Sequence, residues 1–197
     1  MGHVHFCGFA LGTRPGVVMT PRPASERLVE AALAVVGDTP ATVADVGTGS
    51  GALAVAVAAR APQARVWATD ASPAAVALAC ENVRRHGLLH RVVVLEGDLL
   101  DPVPGPVDLV VANLPYLPLG ERALHTDLAA EPADAVFAER DGLGPYRRLL
   151  DACEGGLAAG GALVLQFRGA VLLAARHELD ALRARLEVEA MLARKAA

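Results

Sequence analysis

Asn113, Leu114, Pro115 and Tyr116 interrupt the apolar run VVANLPYLP, which extends from Val110 to Pro118. The side-chain carbonyl of Asn113 can accept an N–H, and the backbone carbonyl of Leu114 is a second acceptor. Pro115 biases Leu114 toward extended backbone and so helps aim that carbonyl. Tyr116 adds a flat apolar face with a polar tip. Two acceptors beside an aromatic wall suit a planar –NH2 group. Bonding both its hydrogens raises electron density on the nitrogen and orients it for attack, with no His or Glu required as base. An ordinary loop start after a buried strand is the alternative.

A second stretch, DVGTGSGALA from Asp45 to Ala54, could hold a nucleotide-type cofactor. Its glycines, Gly47, Gly49 and Gly51, allow backbone to approach a ligand closely and to adopt positive φ. Gly47, Gly49 and Ala52 satisfy the dinucleotide pattern G-x-G-x-x-G/A, so these residues alone do not separate NAD from S-adenosylmethionine. Three acids add information. Asp45 precedes the glycines and can order the loop or receive an ammonium group. Asp70 closes a second strand-like run, where an acid can accept both ribose hydroxyls. Asp98 closes a third and suits an adenine amino group.

The elements that must position these residues follow from the apolar pattern. Strand-like runs cover Ala41–Val46, Ala64–Asp70, Arg91–Asp98, Val107–Leu114 and Gly161–Phe167. They are rich in Val and Leu with little alternation, as strands covered on both faces should be. Helical segments fall between them: Ser25–Val36, Gly51–Ala61, Pro73–His86 and Pro145–Glu154. Ser72-Pro73 is an N-cap followed by Pro at the first helical position, and Gly87 stops that helix. The alternation predicts an α/β fold, a doubly wound and mostly parallel sheet whose ligands bind beyond the carboxyl ends of the strands. One domain, 1–197, is expected, with 1–40 as a lead-in and helix packed on it. Ala170–Arg185 reads as a helix, and Leu186–Leu192 as either its continuation or one last strand.

Composition sets limits. The chain is 53% hydrophobic and 20% charged, which predicts a globular core rather than disorder. A net charge of -4 and only short Arg pairs, Arg84-Arg85 and Arg147-Arg148, argue against nucleic acid as a partner. Cys7, Cys80 and Cys153 are odd in number and far apart, so a reducing cytoplasm fits and a disulfide framework does not. His3, His5 and Cys7 lack a second ligand cluster, so no metal is expected. No apolar run reaches the roughly 20 residues of a membrane span, and no signal peptide is legible.

The Asp-x-Gly-x-Gly turn followed by acids after strands two and three resembles class I S-adenosylmethionine-dependent methyltransferases. That likeness implies S-adenosylmethionine as cofactor, held by Asp45, Gly47, Thr48, Gly49, Gly51, Asp70, Ala71, Asp98 and Leu99, with Asn113 alongside. The loop at Asn113 resembles the Asn-Pro-Pro-Tyr motif of the HemK/PrmC family of protein-glutamine N5-methyltransferases. Phe6–Leu33 is similar to that family's lead-in, whose Pro-Arg-Pro-x-Thr-Glu signature stands here as Pro21 to Glu26, with Ser25 for Thr. Glu131–Leu150 is similar to its Glu-Pro…Ala-Leu…Asp-Gly-Leu segment. The resemblance implies catalysis by Asn113, Leu114, Pro115 and Tyr116, a Ser25 contact to the cofactor carboxylate, and a release-factor glutamine as acceptor. Leu114 departs from the family's first proline, and Gln166 stands where an acid is frequent. The family's N-terminal helical domain has no counterpart in these residues. The pattern leaves no room for two strands after Phe167, so the sheet edge there is expected to need a partner or self-association.

Other functions fit part of the pattern. A methyltransferase acting on a nucleobase or small-molecule amine would share the loop. A cofactor-binding protein with weak or no turnover would share the glycines. An NAD-dependent dehydrogenase would need a proton-transferring Tyr-x-x-x-Lys, which does not occur, or a poised His, for which only His125 is available.

Overall fold

The structure is a computed structural model that describes residues 2–139 and 141–196. The termini of the expected domain, Met1 and Ala197, and Arg140 of the Asp-Gly-Leu segment lie outside the described residues. Two short strands, β1 (Gly2–Phe6) and β2 (Phe9–Thr13), form an antiparallel hairpin. A single 3-10 turn at Pro23–Ser25 leads into α1 (Glu26–Val36). Then come β3 (Ala41–Val46), α2 (Ala52–Arg60), β4 (Ala64–Asp70), α3 (Pro73–Arg85), β5 (Val92–Glu96) and β6 (Val107–Ala112). After β6 a loop carries β7 (Leu117–Pro118), α4 (Ala133–Val136) and β8 (Phe137–Ala138). The chain closes with α5 (Gly144–Gly156), β9 (Leu157–Phe167), β10 (Ala170–Ala175) and α6 (Leu179–Ala196).

The central sheet has the order β10-β9-β6-β3-β4-β5, parallel throughout except for the β9–β10 pair. β3 lies between β4 and β6, so the winding reverses direction at its carboxyl end. A crevice opens at such a switch point. Alternation along each strand feeds two cores. Val43, Leu109 and Val111 face the core shared with α1 and α2, while Ala44, Val46, Val110 and Ala112 face the core shared with α5 and α6. Both faces are therefore apolar, which explains the continuous Val/Leu runs.

The expected doubly wound fold is present, and β3 and β4 coincide with their predicted boundaries. Two expectations are corrected, the helix starting at Ala170 and the uncovered edge of β9, and one open alternative is resolved. Ala170–Ala175 is a strand, not the start of a helix; Arg168 and Gly169 both take positive φ and turn the chain back antiparallel onto β9. Burial then alternates, with Leu172 and Ala174 inside and Leu173 outside. The outer edge of β9 is thus covered by the chain itself, and one strand of the missing pair is present. Leu186–Leu192 continues α6, whose Leu179, Leu182, Leu186 and Ala190 complete the second core. The amino-terminal residues are paired as a hairpin; Asn82 on α3 pins its second strand, accepting from the Gly12 N–H at 2.8 Å and donating to the carbonyls of Gly12 and Ser50.

Candidate functional site

Asp45 is the penultimate residue of β3 and only 1% exposed. Oδ2 accepts from the Thr48 hydroxyl at 2.7 Å and the Ala54 N–H at 3.0 Å. Oδ1 is buried and has no hydrogen-bond partner among the described residues. Burial pushes the carboxyl up to about 6, against the lowering effect of those two bonds, with Asp70 raising it further.

The turn itself is tied to the neighbouring strand. Gly47 and Thr48 N–H groups both bond to the Thr69 carbonyl, and the Gly49 N–H bonds to Asp70 Oδ2 at 2.9 Å. Asp70 Oδ1 accepts from the Ser72 N–H, so the carboxylate is held at both ends. Gly49 has φ +57, and no atom lies within 4 Å of where its Cβ would stand. That missing side chain keeps the crevice open where a ligand must approach backbone. Gly51, also at positive φ, packs against α3 instead.

Two cavities meet here. One, about 760 Å³, is bounded by Gly47, Gly49, Asp70, Ala71, Asp98 and Leu99. The other, about 460 Å³, is bounded by Arg22, Ser25, Tyr116, His125, Gln166 and Arg168 among others. Asn113, Leu114 and Pro115 line both, so the loop after β6 stands at their junction. Of the residues expected to hold a cofactor or do chemistry, Gly47, Gly49, Asn113, Leu114 and Pro115 line both cavities, Asp70, Ala71, Asp98 and Leu99 line the larger, and Ser25, Thr48 and Tyr116 line the smaller, while Asp45 and Gly51 lie behind the turn and line neither.

The structure adds detail for five of those residues. Asn113 donates from Nδ2 to the Ser25 hydroxyl at 3.0 Å, so Ser25 contacts the amide. No donor reaches Asn113 Oδ1 among the described residues, and that oxygen is the one left to accept. The Leu114 carbonyl is 2.9 Å from the Tyr146 hydroxyl, which also lies 2.5 Å from the Gln166 carbonyl. One lone pair of Leu114 is engaged and the other is left for a ligand. Burial holds the Tyr146 phenol well above its ordinary value, so it stays a donor. Asp98 is paired with Arg148, and its side chain is half exposed. Tyr116 packs edge-on against Phe167, with centroids 5.8 Å apart.

Two segments press on the loop from outside. Thr20 in the lead-in donates its N–H to Glu131 at 3.0 Å, joining the strap over the crevice to the Glu-Pro segment. Gly142 takes φ +81, and a Cβ there would lie 2.2 Å from the Tyr116 carbonyl. Asp141 beside it is bound by Arg147, which lowers its carboxyl to about 2, and Arg147 also holds Glu187 on α6. Sequence reasoning had no signal for Tyr146, which reads only as one apolar helix position. The Arg168-Gly169 turn was a legible but weak hairpin cue. Among the described residues, no cluster of His, Cys, Asp or Glu could hold a metal ion and no helix is long and apolar enough to cross a membrane. The three cysteines are free.

A doubly wound sheet with a glycine turn and an unmet acid at its first central strand, and an amide-bearing loop at the next, defines the Rossmann-like methyltransferase class. The model of the methyltransferase small domain family matches residues 21–131, and the chain belongs to that family. It is 44% identical over 168 residues to the release factor glutamine methyltransferase of Moorella thermoacetica, covering 84% of this chain and 59% of that protein. The chain spans less than two thirds of the length of the curated relatives it matches first. Among solved structures it is similar to ribosomal protein L11 methylase from Lactobacillus delbrueckii subsp. bulgaricus, with TM-score 0.54 and 25% identity over 77% of this chain and 63% of that one. Coclaurine N-methyltransferase, solved with N-methylheliamine and SAH, shares the fold at TM-score 0.51 and 20% identity, covering 73% of this chain and 35% of that one.

Proposed function

We propose that this chain transfers a methyl group from S-adenosylmethionine to the side-chain amide of a glutamine in a protein of the release-factor class. One observation carries the reading: Asn113, its amide nitrogen tied to Ser25, presents its oxygen where the two cavities meet. Relatives named release factor glutamine methyltransferase support the substrate class.

The residues present fit the cofactor. Asp45 Oδ1 lacks a partner and is suited to an ammonium group, and the space beside Gly49 admits a ligand against backbone. Asp70 would take the ribose hydroxyls, with Ala71, Asp98 and Leu99 around the adenine. When bound, S-adenosylmethionine supplies an electrophilic methyl group on a sulfonium. Asn113 Oδ1 and the second lone pair of Leu114 accept the two hydrogens of the glutamine –NH2. That fixes the nitrogen in place, and Tyr116 covers its flank. Positioning and hydrogen bonding do the work, and the proton released from nitrogen passes to solvent without a titrating base. The free thiols are compatible with a reducing cytoplasm.

The test is transfer of labelled methyl to a purified release factor, with the modified residue located by mass spectrometry. Label on a glutamine side chain supports the reading. Cofactor binding with no label on any glutamine overturns it.

A further inference from the structure

Arg168 stands at an expensive place in the backbone. It is the first residue of the two-residue turn between β9 and β10, at φ +46, followed by Gly169 at φ +82. Asn, Asp or Gly fill such a position at lower cost, because their side chains tolerate the left-handed region. A non-glycine residue held there is a reason to look for a function. The Arg168 side chain borders the smaller cavity, with 24% of its surface exposed. Its Nε and Nη2 are buried without a hydrogen-bond partner. Arg22, from the lead-in, borders the same cavity, and its Nε is likewise unmet. Tyr116 and Asn113 border the same cavity, so both arginines share its wall with the loop after β6.

Their counter-ions are distant. Glu121 approaches Arg168 at 3.6 Å and Asp127 approaches Arg22 at 3.9 Å, beyond good hydrogen-bond range. These contacts neutralise the cations without satisfying their N–H groups. A charge-balanced wall with unmet donors suits neutral oxygen acceptors. A phosphate would meet two acids as well as two arginines.

We propose that Arg168, seconded by Arg22, binds main-chain carbonyl oxygens of the peptide on either side of the reacting glutamine. This rests on the proposed function and deepens it: the acceptor is an extended peptide segment, recognised by its backbone. Arg168 is a specificity determinant, not a participant in methyl transfer.

Arg168→Asn tests this in the full chain, since Asn suits the turn and folding is preserved. A capped glutamine-containing peptide from a release factor is the probe. The expected result is a KM for the peptide raised about tenfold, as for loss of one charge-assisted hydrogen bond. The kcat and the S-adenosylmethionine affinity stay within about twofold, and the thermal midpoint is unchanged or higher. Arg22→Gln raises KM in the same direction. Unchanged KM for Arg168→Asn, or a fall in kcat without a rise in KM, overturns the inference while wild-type transfer to the peptide leaves the proposed function standing. Absence of wild-type transfer to any glutamine overturns both. Methylation of an oligonucleotide whose KM depends on Arg168 shows a phosphate site and also overturns it.

Discussion

The amide nitrogen of Asn113 lies 3.0 Å from the hydroxyl of Ser25, a residue 88 positions earlier in the chain. The bond fixes which end of the amide faces the cavities. Ser25 is buried at the amino end of α1, so its hydroxyl is itself held by packing. Ser25→Ala frees the amide to rotate. The expected outcome is a kcat lowered about fivefold, corresponding to roughly 1 kcal/mol for one hydrogen bond. Cofactor affinity measured by calorimetry changes little, and Ser25→Thr, which keeps the hydroxyl, retains activity. An unaltered kcat in Ser25→Ala contradicts this role.

Tyr146 spans the ends of β6 and β9 where their ladder stops. Its hydroxyl serves the Leu114 and Gln166 carbonyls with a single proton. Tyr146→Phe keeps the edge-on packing against Phe167, whose centroid is 5.3 Å away, and removes only the donor. Leaving buried carbonyls unmet costs about 1–3 kcal/mol. A lowered urea midpoint is expected, together with a loss of kcat at temperatures where the variant is fully folded.

Gly142 touches the Tyr116 carbonyl with no room for a side chain. Gly142→Ala adds a Cβ against backbone and places Ala at positive φ. Both act in the same direction, so destabilisation above about 2 kcal/mol is expected. Chemical denaturation measures it. A variant as stable as wild type shows that the Asp-Gly-Leu turn does not brace the loop.

Asp45 makes stability depend on pH. Its folded value of about 6 lies above the ordinary 3.8, so folding favours the protonated form. Its contribution is complete below pH 4 and is lost as pH rises through about 6, up to ~3 kcal/mol for a shift of this size. Cofactor-free protein should therefore lose stability over that window, and Asp45→Asn should lack that part of the slope. S-adenosylmethionine, bringing a cation to the ionised carboxylate, should bind more tightly as pH rises through the same window. Denaturation midpoints and binding isotherms across pH 4 to 8 check both. Equal slopes in wild type and Asp45→Asn contradict the assignment.

The sheet was legible because strands buried on both faces leave unbroken Val and Leu runs, and because Asp45, Asp70 and Asn113 punctuate three of them. The ends of the chain were not. Ala170–Ala175 has the composition of a helix, and only the Arg168-Gly169 turn betrays the strand. Gly2–Phe6 pairs with Phe9–Thr13 across Cys7-Gly8, a two-residue turn with both residues at positive φ, and Asn82, 70 residues from Gly12, holds the second strand against α3. At the site, the residues assigned to accept and bind are chosen by type and spacing. The groups that aim them were less so: the Ser25 bond to Asn113 joins residues 88 positions apart, and Tyr146 lies inside an amphipathic helix where packing alone accounts for it.

The most direct measurement is single-turnover methyl transfer to a glutamine peptide by Asn113→Ala, beside its affinity for S-adenosylmethionine. If Asn113 Oδ1 holds the reacting amide, transfer falls by about a hundredfold or more, while cofactor affinity stays within a few-fold. Transfer at the wild-type rate, or a loss explained by weakened cofactor binding, contradicts the role assigned to the residue that ends the apolar run.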